Sequence, residues 1–193
     1  MSGLLALVLI LFAIAAGILL LTSEDWRLRM TALLVIYAVL FFLVLQIWPA
    51  GLATIKLVSG WVAAVVLFVP RFSQREPSLT LLPRPVLVFR ILSAVLMMVV
   101  ILAITPSVSL WLPAPYPYLH VGLLMIGLGL LQIGISQEAL PVILGLLTIL
   151  AGFETVYSTL EGSALLAAIL AAITLALGLV GSFYVNVERE DQV

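Results

Sequence analysis

The chain has 193 residues, 65% hydrophobic and 9% charged, with a net charge of −1, one histidine and no cysteine. So few charges, against roughly 25% in soluble domains, cannot cover a fold in water, and a bilayer is the expected solvent. The charge balance argues against a nucleic-acid partner, and the absent cysteines exclude disulfides, thiolate metal sites, iron–sulfur ligation and thiol nucleophiles within the chain.

A hydrocarbon core about 30 Å thick needs about 20 apolar residues in a helix. The first such run is 3–22. No basic residue precedes it and it exceeds a signal-peptide apolar region, so a retained helix is expected. Runs at 30–48 and 51–69 follow, broken by Pro49 and Ala50. A proline-rich stretch, 70–85, leads to the run 86–105, and a second, 106–117, leads to 118–135. The last two runs are 139–160 and 163–185, with a tail from 188 to 193. Proline and glycine mark most breaks, because proline lacks a backbone N–H and glycine permits unusual dihedrals. Long alternating strands are absent, which argues against a β-barrel. The expectation is an all-α, polytopic transmembrane bundle of about seven helices in one domain. Helices one to four occupy 1–105, an external loop 106–117, and the last three helices 118–187.

Alternating the two membrane faces across these spans places Arg27, Arg29, Arg71, Arg75, Arg84, Arg90 and Arg189 on one side. The other side's connections hold no arginine or lysine. Basic residues resist translocation, so the arginine side is expected to be cytoplasmic, with the N-terminus outside, the C-terminus inside and the chain in the cytoplasmic membrane. Trp48, Trp111, Tyr116 and Tyr118 then fall near the outer interface, as an aromatic belt does.

An ionisable residue inside a span is a functional candidate, because desolvating a charge is costly. Two stand out, Lys56 in the third span and Glu154 in the sixth. Each lies five or six residues from the outer end, roughly 8–9 Å deep at a 1.5 Å rise. The matching depths allow a pair, although no sequence feature makes those helices neighbours. Lys56 has an alternative in snorkelling to the headgroups, and Glu154 in a protonated, hydrogen-bonded state. Glu154, Tyr157, Ser158 and Glu161 share one helix face by their i, i+3, i+4, i+7 spacing. That polar stripe, together with Gln46 and His120 at similar height, suggests a polar cluster in the outer half and a route for protons. His120 titrates in a useful range but reads first as an interface residue, and Gln46 and Gln132 as interhelical hydrogen-bond formers. Ala168, Ala172 and Ala176 form a small-residue face suited to close helix approach.

Several chemistries find no machinery. The aspartates fall on the arginine side and His120 on the other, which rules out a Ser/His/Asp triad. Phosphate-binding glycine loops are missing, and Gly127 and Gly129 lie within a span, where they favour close packing. The single histidine argues against a multi-histidine metal or haem site, so no cofactor is expected.

Short motifs along the chain carry a resemblance. Ala53-Thr54-Ile55-Lys56-Leu57-Val58, a proline-rich loop, Ser136-Gln137 and Gly152-Phe153-Glu154 occur in this order. This order resembles component E of the formate-hydrogenlyase-type membrane-bound hydrogenases. The last three helices of that family are similar to subunit K of respiratory complex I and to the C subunit of multisubunit Na⁺/H⁺ antiporters. The resemblance implies a divergent member, since Glu138-Ala139 replaces the family's Arg-Asn and the last span has no acidic residue. It implies a proton-path role for Glu154 and, more weakly, Lys56, with other membrane subunits as partners. The function expected is thus a small membrane-arm subunit of an ion-translocating oxidoreductase or antiporter-type complex, with no catalytic site of its own. Alternatives are an independent small transporter or channel, and a non-transporting scaffold or assembly protein.

Overall fold

The computed structural model describes residues 3–72 and 83–190, which form seven α-helices and no strand. They are α1 (Gly3–Thr22), α2 (Trp26–Val44), α3 (Ala50–Phe72), α4 (Arg84–Ser109), α5 (Tyr116–Ile135), α6 (Ala139–Tyr157) and α7 (Ala164–Glu190). Six, α2 to α7, are long and apolar enough to cross a membrane, and α1 adds a shorter apolar stretch, Leu7–Thr22. The loop with Arg75, the end of the tail, and the side chains of Arg71 and Arg189 lie outside the described residues.

Helix limits depart from the expected ones where capping and turn chemistry override the apolar pattern. Asp25 caps α2 by accepting the Arg27 N–H at 2.9 Å, so the helix begins four residues early and takes in Arg27 and Arg29. It ends at Val44, and residues 45–47 form a turn that leads through Trp48 to α3. Pro106, expected to open the external loop, lies inside α4. Its missing N–H removes the one backbone bond to Leu102 O, and because this falls near the helix end α4 continues only to Ser109. The loop shortens to residues 110–115.

The helices form two rows. α1, α2 and α3 lie side by side, as do α5, α6 and α7, and the rows face each other as α1 on α5, α2 on α6 and α3 on α7. α4 lies at the edge against α1 and α5. α2 is central, and Leu33, Ile36, Tyr37, Leu40 and Leu43 are fully buried.

Lipid is as apolar as leucine, so packing in a membrane relies on close contact at small residues. The α5–α6 hairpin closes on Gly122 against Gly152 and Gly129 against Gly145. Gly127 instead receives Met97 of α4. α7 meets α3 at Gly178, where an added methyl would lie 2.8 Å from Ala63 Cα. Ala168, Ala172 and Ala176, expected to make the close approach, are exposed. The buried face of α7 runs instead through Ala167, Leu170, Thr174, Gly178 and Val185.

Candidate functional site

α3 and α6 lie in opposite rows, and each brings one charged residue to the interior near the arginine-poor end. Lys56 is 6% exposed and Glu154 8%. Lys56 Nζ lies 3.2 Å from Glu154 Oε2, so the two charges set at matching depth do meet. α6 ends at Tyr157, so Glu154 lies one turn, about 5 Å, from its helix end. This is shallower than the sequence suggested.

A buried ion pair holds only when the remaining donors and acceptors are satisfied. Lys56 Nζ also donates to Ala151 O at 3.1 Å and Thr155 Oγ1 at 3.2 Å. Its three protons thus have three acceptors, two of them one helical turn apart on α6. Glu154 Oε1 lies 3.3 Å from Thr174 Oγ1 of α7, whose single proton also faces Leu170 O at 3.0 Å. Tyr37 of α2 packs into the space left by Gly60 of α3. Its hydroxyl donates to Leu147 O of α6 at 3.4 Å and lies beside Thr174. Four helices therefore meet at the pair.

Above it, toward the arginine-poor end, lies Trp48. The turn after α2 places its indole N–H 2.9 Å from Ser158 O, in the turn after α6. Trp48, Leu52, Lys56, Ser59, Glu154 and Ser158 enclose a small cavity of about 10 Å³, room for about one water molecule.

The polar stripe on α6 divides, because the helix stops at Tyr157 and the chain turns. Glu154 and Ser158 point inward, and Ser158 Oγ donates to Thr155 O at 2.8 Å. Tyr157 and Glu161 face outward and bond to each other at 2.7 Å. His120 does not join the pair. It faces α4, with Nδ1 3.2 Å from Thr105 Oγ1, and its ring stacks on Tyr116. Gln46 bonds its own helix, to Phe42 O at 3.0 Å, rather than a neighbour. A polar side chain on an exposed helix end finds its nearest unpaired carbonyl one turn back. Gln132 is buried on α5, with no side-chain hydrogen bond found among the described residues.

Sequence reasoning missed Thr155, Thr174 and Tyr37. Thr174 is visible in the sequence as the lone hydroxyl between Ala172 and Ala176, whose spacing points only to close packing. A second cluster was also missed, at the arginine end. Glu24 accepts from Arg29 Nη2 at 2.9 Å and from Arg90 Nη1 at 2.7 Å. Arg29 is 4% exposed and donates to Ser23 O, while Arg90 donates to Leu21 O. Arg29 and Arg90 thus converge on the α1–α2 connection, as the topology required. This cluster ties α4 to it.

The fold and the pair define a multi-pass helical membrane protein with an ion pair set among its spanning helices. No family model, curated protein or solved structure matches the chain.

Proposed function

We propose that this chain is a small membrane-arm subunit of an ion-translocating oxidoreductase or antiporter-type complex in the cytoplasmic membrane. In this reading Glu154 and Lys56 belong to a proton path. The observation that carries it is the Lys56–Glu154 pair, 3.2 Å apart and buried at a junction of four helices. Charges within a membrane are rare and mark proton and ion pathways. The order of motifs around Lys56, Ser136-Gln137 and Glu154, similar to the component E family, agrees with it. Ser158 extends the path toward the arginine-poor end, and Tyr157 with Glu161 stands at the surface beyond. His120, turned toward α4, lies off this path.

A second reading, a non-transporting scaffold, draws on the complete set of acceptors around Lys56. A pair so well satisfied also fixes helix register. The two readings differ in what Glu154→Gln does to ion movement.

The test is purification through a C-terminal tag in mild detergent, with mass spectrometry of the chains recovered. Antiporter-like and hydrogenase- or dehydrogenase-like partners support the complex, and Glu154→Gln is then assayed for loss of proton translocation. Recovery as a well-behaved lone species sinks it.

A further inference from the structure

The cavity between Trp48 and the ion pair has an unusual lining: its donors are all committed. The three protons of Lys56 go to Glu154 Oε2, Ala151 O and Thr155 Oγ1. Ser59 Oγ gives its proton to Lys56 O at 3.1 Å, and Ser158 Oγ gives its own to Thr155 O at 2.8 Å. The Trp48 N–H is committed to Ser158 O. What faces the cavity is therefore accepting capacity: lone pairs of both serine hydroxyls and of the Glu154 carboxylate. The rest of the wall, including Val44, Leu52 and Leu170, is apolar.

A guest there must give protons and needs to accept none. At about 10 Å³ the space matches one water molecule. We propose that this cavity binds a single water-sized hydrogen-bond donor, water or the hydronium formed from it, and that the Trp48 indole is its lid. Anions are refused, since no donor is left to receive them.

Trp48 suits a lid by its position. It lies in the turn between α2 and α3, not within a helix, and is followed by Pro49. It rests on Val44, Ala53 and Ala167, and one hydrogen bond fastens it to the turn after α6. That bond is the indole's one polar tie, and its other contacts are apolar. The entrance it covers is at the arginine-poor end. This inference concerns access to the pair and holds whether or not the chain serves an ion-translocating complex.

The absence of cysteine allows a clean test. Full-length chain carrying Ser158→Cys is labelled in right-side-out and inverted membrane vesicles. The reagents are membrane-impermeant methanethiosulfonates ending in trimethylammonium or in sulfonate. Labelling is expected to be slow with Trp48 in place. Trp48→Ala should speed it about 10-fold or more, because the ring and its buried hydrogen bond are both lost. The gain should appear from the arginine-poor face, and for the cationic reagent above the anionic one. Trp48→Phe keeps the ring, loses the N–H and should fall between, which separates an opened lid from a collapsed fold. Equal rates with and without Trp48, faster labelling from the arginine face, or no preference for the cation overturns the proposal. The guest is read by infrared spectroscopy as a confined-water O–H band that shifts in D₂O. The band is expected in the unaltered protein and lost in Ser59→Ala/Ser158→Ala. Its absence from the first, or its persistence in the second, overturns the site.

Discussion

Gly122 and Gly152 touch backbone to backbone: a methyl group on Gly152 would lie 2.6 Å from the Gly122 carbonyl oxygen. Seven residues along each helix the contact repeats, and a methyl on Gly129 would lie 2.6 Å from Gly145 O. A seven-residue repeat keeps one seam facing its partner along an antiparallel pair. The hairpin so formed is a rigid base for Glu154, which lies two residues beyond Gly152.

Substitutions at this seam should therefore be costly. Gly145→Leu is expected to destabilise by about 1–3 kcal/mol, the usual range for overpacking. Gly134→Leu, where an added methyl meets nothing within 4 Å, should change little. Thermal unfolding in detergent compares them. Equal losses would show that the seam does not govern stability.

The same measurement reaches the Tyr37 junction. Gly60→Ala places a methyl group into the Tyr37 ring, and a loss of about 1–3 kcal/mol follows from forced repacking. Tyr37→Phe removes a long hydrogen bond to Leu147 O, 3.4 Å, and the hydroxyl's contact with Thr174, and should cost about 1 kcal/mol. A larger effect for Tyr37→Phe than for Gly60→Ala would reverse this account.

Lys56 and Glu154 should behave as a unit. Lys56→Met or Glu154→Leu alone leaves one buried charge unpaired, at a cost of about 3–5 kcal/mol. The double substitution removes both charges and should recover most of that loss. A double-mutant cycle reads the coupling. Additive losses would mean that the two side chains do not share an energetic bond.

The arginine cluster makes a comparison of neighbours. Glu24→Ala strips the partner from buried Arg29 and from Arg90, and about 3–5 kcal/mol is expected. Asp25→Ala removes only the α2 cap, worth about 1 kcal/mol. If Asp25→Ala proves the more damaging, the clasp on α4 is not what holds this end.

Most of the fold was legible because span length and breaks are set by local composition. Lys56 and Glu154 were legible as charges at equal depth, since depth follows from counting residues along a helix. Their pairing was not, because helix adjacency depends on packing across rows. The Ala168, Ala172, Ala176 face misled for the same reason: small apolar residues are equally at ease against lipid. Thr155 and Thr174 were hidden by the same dependence on adjacency, whereas the Trp48–Ser158 contact depends on where α6 stops. That limit is set by the turn at Ser158, which an apolar run extending to Leu160 conceals.

Among α2 to α7, α4 has the highest mean hydropathy, 2.8, and the smallest buried share, 11%. α5 has the lowest, 1.8, with 61% buried, and α6 is the most buried at 67%. A helix like α4 partitions into lipid on its own as it leaves the insertion machinery. α5, less apolar and seamed with glycine, gains most by entering already folded against α6. Biogenesis of this chain is thus expected to divide at the 110–115 loop. α4, before it, would insert alone, and the hairpin after it would enter as a single piece.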